Sequence, residues 1–405
     1  MIEGRIIVCV ASSWDYDPTS KHHLMKVLSR YNDVVWINYR GTRRPKLTNG
    51  DFRASVSALT EVMRGIRRVS PSMIQMTPMV IPGVAHPVPR SVHEWMLVAQ
   101  IRRAIRAIDA SCARRVQVWA FAPDVAFLIG RFNEECFLYY CVDEHSQFDG
   151  IDSARIAAVE AELVRRSDVV VASSGPLFDA KRRMRADTVL LRHGVDYDHF
   201  AAALREDLPC PLDIADVPRP IFGFFGAIHT WVDLELIGAV ASMRPGYSFV
   251  LIGEHLVDIS PLSGLPNVVP LGRRPNAELP SYCAAFCAGL IPFKQTAMTR
   301  HVNPIKMNEY LAAGLPVVST SLPEARRCGG HVTTADSPEA FAAACDAALH
   351  SDNPERREAI SSVVRSESWQ SKVERLSSII EQRVLSNERS YCAGEPSRRS
   401  CAGVL

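Results

Sequence analysis

The chain has 405 residues, of which 47% are apolar and 22% are charged, and its formal net charge is only +2. A chain of this length predicts two domains, and because no apolar run reaches about 18 residues, no helix is expected to span a membrane. The near balance of charge, without aromatic residues interleaved among the basic ones, argues against a nucleic-acid partner.

The first half of the chain alternates strand and helix patterns. Strands are predicted at residues 5–11, 34–37, 116–120, 136–142, 169–173 and 189–191, and a first helix at residues 20–30. Such alternation is typical of a parallel, doubly wound α/β sheet. We therefore assign residues 1–205 to an N-terminal Rossmann-like domain and the proline-rich residues 206–220 to a linker.

The second half repeats the alternation, with strands predicted at residues 221–225, 249–252, 268–271 and 288–292. A second doubly wound domain is expected at residues 221–365, with a ligand cleft between the C-terminal strand edges of the two domains. A helix at residues 366–385 should pack back towards the N-terminal domain. The polar residues 386–405 are expected to form a disordered tail.

Residues 303–320, NPIKMNEYLAAGLPVVST, predict a helix over 304–313 and a strand over 317–320. Asn303 is a good N-cap, Pro304 suits the first turn, and Gly314 suits a left-handed C-cap. Lys306 lies in the first turn, where the helix dipole disfavours a cation, so a bound phosphate explains its position. Glu309 shares that helix face and suits sugar hydroxyls, with a surface Lys306–Glu309 ion pair as the alternative.

Asp143 and Glu144 directly follow the strand predicted at residues 136–142. A carboxylate in that place would point into the cleft and accept a proton from an acceptor hydroxyl, so both are catalytic candidates, with a turn or helix cap as the alternative. The Asp-x-Asp triplets at residues 15–17 and 196–198 are too short and loop-like to predict a metal site. The first strand lacks a following GxGxxG, which excludes a dinucleotide dehydrogenase.

Several segments together resemble the GT-B glycosyltransferases, especially the bacterial family-four (group 1) enzymes that build exopolysaccharides and other cell-surface glycans. They are NPIKMNEYLAAGLPVVST, GFFGAIHTWVDLELI from Gly223, SFVLIG from Ser248, VVPLGRRPNAELPSYCAAF from Val268 and LRHGVDYDHF from Leu191. The resemblance implies two Rossmann-like domains facing each other across a cleft. The N-terminal domain would bind the acceptor and the C-terminal domain a nucleotide-sugar.

The resemblance also implies roles for residues of the C-terminal domain. Lys306 would face the donor diphosphate and Glu309 the ribose, while Gly226 would let backbone N–H groups approach a phosphate. Arg273 lies where such enzymes usually build the nucleobase pocket.

The remaining implied residues lie near the start of the motif and in the first helix. Arg300 and Asn303 complete the donor-binding set, together with His301, which stands where many relatives have a glutamate. His23 matches a histidine that relatives place near the first helix, and a solvent-facing histidine is the alternative.

The predicted activity is transfer of a hexosyl or glycuronosyl unit from a UDP- or GDP-sugar to a lipid-linked or growing surface-glycan acceptor, without a metal or other cofactor. A sugar-nucleotide epimerase of the same architecture and a non-catalytic nucleotide-sugar-binding scaffold are the alternatives. The start of the chain lacks a signal-peptide pattern, so a cytoplasmic protein is expected. Basic clusters at residues 43–46, 64–68, 102–106 and 181–185 predict peripheral contact with the anionic inner face of the cell membrane, with solvated helix faces as the alternative.

Overall fold

A computed structural model describes residues 1–39, 41, 65–79, 90–148, 150–205 and 207–392. The chain divides into two compact units. Unit 1 contains residues 1–173, 177–191 and the segment from Lys372 onward, and unit 2 contains residues 174–176 and 192–371. The residues 207–220, within the predicted linker, belong to unit 2.

Unit 1 is built on an eight-stranded sheet, counted over its described residues, in the order β3-β4-β2-β1-β5-β6-β7-β8. The strands are β1 (Ile6–Ala11), β2 (Asp33–Asn38), β3 (Ile66–Ser70), β4 (Met73–Met76), β5 (Val116–Ala120), β6 (Glu134–Cys141), β7 (Val169–Ala172) and β8 (Val189–Leu190). Every pairing is parallel except that of β3 with β4. Strands β1 and β7 are rich in β-branched residues and fully buried, as expected for a sheet covered by helices on both faces.

The helices of unit 1 follow its strands in the alternating order that the sequence predicts. They are α1 (Ser20–Leu28), α2 (Arg90–Ile108), α3 (Ser153–Arg166) and α4 (Gly175–Arg182), the last of which begins in unit 2. Unit 1 also contains most of the C-terminal helix, α12 (Trp369–Cys392).

Unit 2 is built on a six-stranded sheet, again counted over the described residues, in which every pairing is parallel and the order is β11-β10-β9-β12-β13-β14. Its strands are β9 (Ile221–Phe225), β10 (Ser248–Ile252), β11 (Val268–Gly272), β12 (Ala288–Ile291), β13 (Val317–Ser319) and β14 (Val332–Thr334). Its helices are α5 (Tyr197–Ala201), α6 (Leu234–Met243), α7 (Leu279–Ala285), α8 (Ile305–Ala312), α9 (Pro323–Arg327), α10 (Pro338–His350) and α11 (Pro354–Ser362).

Two glycines let elements of unit 2 approach closely. A Cβ on Gly223 of β9 would lie 1.8 Å from the ring of Phe286, and one on Gly253 would lie 2.0 Å from the carbonyl oxygen of Gly226. The strand ends that carry Gly226 and Gly253 are therefore held against each other by backbone contact.

The C-terminal helix, α12 (Trp369–Cys392), is longer than the predicted helix at residues 366–385. The prediction of disorder from residue 386 is wrong as far as Cys392, because the polar residues there continue the helix beyond its buried face. Residues 393–405 lie outside the described residues. The backbone N–H of Ile2 donates to Ser377 of this helix at 3.1 Å, which joins the start and end of unit 1.

Candidate active site

The helix of the NPIKMNEYLAAGLPVVST motif is α8, one residue shorter at each end than predicted. The prediction of Asn303 as the N-cap is wrong, because Pro304 occupies that position with an extended backbone (φ −68°, ψ 114°). Asn303 is buried one residue before it. Gly314 has φ +77°, which confirms the left-handed turn that ends the helix.

Lys306 lies in the first turn of α8, half-buried among aromatic rings. Its Nζ is 4.9 Å from the ring centroid of Phe224 on β9 and 4.8 Å from that of Phe293. Burial lowers the pKa of the ammonium to about 8, although Glu309 partly opposes this shift. A cation in such surroundings is desolvated and is stabilised by the faces of two rings, which leaves it ready to bind an anion.

Glu309 lies one turn further along α8 and is 8% exposed. Burial raises the pKa of its carboxyl to about 7, against the opposing effect of Lys306 and with a further increase from Asp196. Within the described part of the chain, no carboxylate lies within the 4.0 Å of Lys306 Nζ that an ion pair requires. The alternative of a surface Lys306–Glu309 ion pair is therefore wrong.

Gly226 provides the space beside Lys306. It directly follows β9 with φ +125°, and a Cβ at this position would lie 3.0 Å from Lys306 Nζ. The Gly226 N–H donates to the carbonyl of Ile252 at 2.8 Å, so this N–H is committed to the backbone. Tyr310 supports the same strand end, since its hydroxyl accepts a hydrogen bond from the Phe225 N–H at 3.0 Å.

The other predicted donor residues follow strands of the same parallel sheet. Arg273 is exposed immediately after β11, and Arg300 and His301 lie in a 3-10 turn between β12 and α8. All three therefore follow the C-terminal strand edge, where ligands bind in such sheets. His301 Nδ1 lies 2.8 Å from the carbonyl of Ala297, so a local contact holds its ring.

Asp143 of unit 1 follows β6 and is half-buried. Lys21 in the first turn of α1 interacts with its charge: burial lowers the pKa of Lys21, and Asp143 opposes that effect. No pattern in the sequence indicates this pairing, because the two residues lie on different elements and Lys21 belongs to no recognised motif. The structure thus places a half-buried cation within electrostatic range of Asp143 in unit 1.

Glu144, the neighbouring candidate, belongs to a buried ionic network. Lys181 Nζ donates to Glu144 Oε2 at 3.0 Å and to Glu160 Oε2 at 2.8 Å, and Lys181 is only 2% exposed. Glu160 also accepts a hydrogen bond from the Tyr139 hydroxyl at 2.6 Å. These contacts hold Glu144 in an ionic network within unit 1.

His23 is buried in α1, so the alternative of a solvent-facing histidine is wrong. Its neighbour His22 lies between two indoles, with ring-centroid distances of 5.2 Å to Trp14 and 4.9 Å to Trp36. Burial and the charge of Lys21 lower the pKa of His22 to about 4, so its ring is neutral. The Thr19 N–H donates to His22 Nδ1 at 3.1 Å, which makes His22 part of the helix cap.

One Asp-x-Asp triplet is hydrogen-bonded to neighbouring side chains, and the other begins at the N-terminal end of a helix. Asp15 accepts hydrogen bonds from Arg67 at 2.7 Å and Gln75 at 3.1 Å, and Asp196 occupies the N-cap position of α5. Across the described residues, no group of three or more His, Cys, Asp or Glu side chains could hold a metal ion. The described helices also include none that is both long and apolar enough to cross a membrane.

Comparisons with known proteins agree with this geometry. The family model "Glycosyl transferases group 1" matches residues 219–351, which include β9 to β14. The match also contains the Lys306 cluster, which is Lys306 with Phe224, Gly226, Phe293 and Glu309. TuaH of Bacillus subtilis strain 168, assigned as a teichuronic acid biosynthesis glycosyltransferase, is 29% identical over 227 residues. That match covers 53% of this chain and 57% of TuaH, so it spans little more than half of the relative.

Solved structures resemble the chain over nearly its whole length. Sucrose-phosphate synthase from Thermosynechococcus elongatus has a TM-score of 0.67 at 15% identity, covering 94% of this chain and 100% of that one. HepE of Anabaena, in complex with UDP, has a TM-score of 0.63 at 15% identity, covering 93% and 100%. At such identities the likeness shows the fold, and it confirms the predicted GT-B class of two Rossmann-like domains. The chain therefore has the GT-B fold, and its residues 219–351 match the group 1 glycosyltransferase model.

Proposed function

We propose that the protein transfers a sugar from a nucleotide-diphosphate donor to a lipid-linked or growing surface-glycan acceptor. The observation that carries this proposal is the Lys306 cluster: a desolvated cation beside Gly226, one turn from the buried carboxyl of Glu309. An anionic diphosphate would complete the charge balance at Lys306. The ribose hydroxyls would donate hydrogen bonds to Glu309.

The donor is proposed to be a UDP- or GDP-sugar. HepE was solved with UDP and with UDP-glucose, which supports a UDP-sugar ahead of a GDP-sugar as the donor. TuaH is assigned to teichuronic acid biosynthesis, which supports a surface-glycan acceptor and a hexosyl or glycuronosyl unit. The proposed place of action is the cytoplasm, with peripheral contact at the inner face of the cell membrane.

In the proposed reaction, the bond between the anomeric carbon and the diphosphate oxygen breaks, and a bond from that carbon to the acceptor oxygen forms. The ammonium of Lys306 and the guanidinium of Arg300 stabilise the negative charge on the departing diphosphate, which is electrostatic catalysis without a required metal. Asp143 accepts the proton that the acceptor hydroxyl releases.

The test combines ligand-dependent thermal unfolding with product analysis. UDP or GDP should raise the melting temperature of the wild type, and Lys306→Ala should abolish that increase. Arg326→Ala, which removes an exposed cation of the same unit, is the matched control and should keep it. If neither nucleotide changes the melting temperature, the donor-site assignment fails.

Mass spectrometry of reactions with labelled nucleotide-sugars separates the predicted alternatives. Transfer that requires an acceptor supports the proposal. Interconversion of the donor sugar without an acceptor would identify an epimerase, and binding without turnover across a panel of donors and acceptors would identify a scaffold.

A further inference from the structure

The outward face of α2 in unit 1 combines an exposed indole with a row of arginines. Residues on this face are spaced three or four apart, which places them on one side of a helix. We call this set the α2 stripe: Val92, Trp95, Ala99, Arg102, Arg103 and Arg106.

Exposure and burial divide α2 into two faces. Trp95 is 71% exposed and Val92 is 39% exposed, and the three arginines are exposed as well. The opposite face packs into the core of unit 1 through Leu97, Val98, Ile101, Ala104 and Ile105. The helix is therefore anchored to its unit while it presents the stripe outward.

The charge of the stripe is uniform. The sequence of α2 contains one acidic residue, Glu94, which lies about 100° around the helix from Trp95. Arg102 donates to the backbone carbonyl of Arg131 at 2.9 Å, which places a further exposed arginine next to the stripe.

We propose that the α2 stripe docks the protein on an anionic phospholipid surface, with Trp95 and Val92 entering the interfacial layer and the arginines contacting lipid phosphates. Tryptophan suits the boundary between lipid and water, because its ring is apolar and its N–H is polar. From Val92 to Arg106 the stripe measures about 21 Å along the helix, enough for several contacts in one plane. The charge complementarity selects an anionic bilayer over an uncharged surface.

This surface deepens the proposed function, since it would hold the enzyme where a lipid-linked acceptor is found. It restricts the membrane contact predicted from basic clusters to one helix. The cluster at residues 43–46 and Arg64 lie outside the described residues.

Flotation with vesicles of phosphatidylglycerol and phosphatidylcholine in equal parts tests the proposal on the full chain, at low salt and at about 0.15 M salt. The wild type should bind these vesicles and not pure phosphatidylcholine. Arg103→Glu/Arg106→Glu should lower the partition coefficient at least about 25-fold at low salt, and Trp95→Ser should lower it independently. Lys26→Glu/Arg30→Glu reverses the same charge at exposed positions in α1 and just after it, and should retain most of the binding.

Tryptophan fluorescence gives a second measurement that is specific to the α2 stripe. Vesicles should shift the tryptophan emission of the wild type to the blue, and Trp95→Phe should remove most of that shift, since Trp95 is 71% exposed whereas the other five tryptophans are buried or half-buried. Absence of vesicle binding by the wild type at low salt would overturn the proposal, as would equal loss of binding in the α1 control. Self-association that Trp95→Ser relieves, without vesicle binding, would also overturn it and assign the stripe to a second copy.

The stripe variants should keep the nucleotide-dependent increase in melting temperature, so failure of this inference is distinguishable from failure of the proposed function.

Discussion

Replacing Lys306 with methionine should stabilise the free protein while it removes nucleotide binding. The pKa of Lys306 falls from an ordinary 10.5 to about 8, which corresponds to about 3 kcal/mol of unfavourable charge burial at neutral pH. Its contacts with the rings of Phe224 and Phe293 offset about 1 kcal/mol of that cost. Methionine has a similar length and packs well against aromatic rings. Lys306→Met should therefore raise the free energy of unfolding of the ligand-free protein by about 2 kcal/mol.

Calorimetry of the free and UDP-bound protein measures both effects. A gain of this size should raise the melting temperature of unit 2 by about 4 to 8 °C without ligand, and the increase that UDP causes in the wild type should disappear. Between pH 8 and 10.5 the unfolded chain binds more protons at Lys306 than the folded chain does, so the wild type should become more stable as pH rises through this window. The variant should lack that rise.

Lys26→Met is the control, because Lys26 is an exposed lysine of α1 and its removal should change neither quantity. A lower melting temperature of Lys306→Met without ligand would refute the reasoning on charge burial. An undiminished response of that variant to UDP would refute the assignment of Lys306 to the diphosphate.

Three further outcomes are expected. Nucleotide affinity should fall by up to tenfold per pH unit above about pH 8, as Lys306 loses its proton, which titration calorimetry across pH can measure. Tyr310→Phe should cost about 1–3 kcal/mol in chemical denaturation, because the buried Phe225 N–H loses its acceptor; an unchanged midpoint would contradict this. Lys181→Met should destabilise unit 1 by about 3–5 kcal/mol by leaving Glu160 buried without its cation, and Lys181→Arg should recover part of the loss.

Much of the fold could be predicted from the sequence, because most strands and helices have strong local patterns. The strands at residues 116–120 and 221–225 have the predicted bounds. The hairpin of β3 and β4 was missed, since β3 contains Arg67 and Arg68 on an exposed edge and shows no apolar alternation. The end of α12 was misplaced because polar, exposed residues continue that helix without an apolar signal.

The candidate site was predictable only where its residues belong to one motif or end a strand. Lys306, Glu309 and Gly226 could be assigned in this way, and the structure brings Gly226 next to Lys306. The contact of the Phe293 ring with the Lys306 ammonium could not be predicted from the sequence, because Phe293 follows a different strand, β12. The approach of Lys21 to Asp143 likewise depends on how α1 packs against the sheet.

Lys181 is buried and Lys306 is half-buried, and the pKa values of these two lysines shift in opposite directions. Burial alone would lower the pKa of Lys181, but Cys141 and the carboxylates of Glu160 and Glu144 raise it above its usual value. That charge is fully compensated within unit 1. For Lys306 burial prevails and the pKa stays low, because among the described residues its partners are two ring faces and the more distant carboxylate of Glu309. A folded protein retains such a cost where an external anion compensates the charge, which supports the proposal that Lys306, and not Lys181, contacts the donor diphosphate.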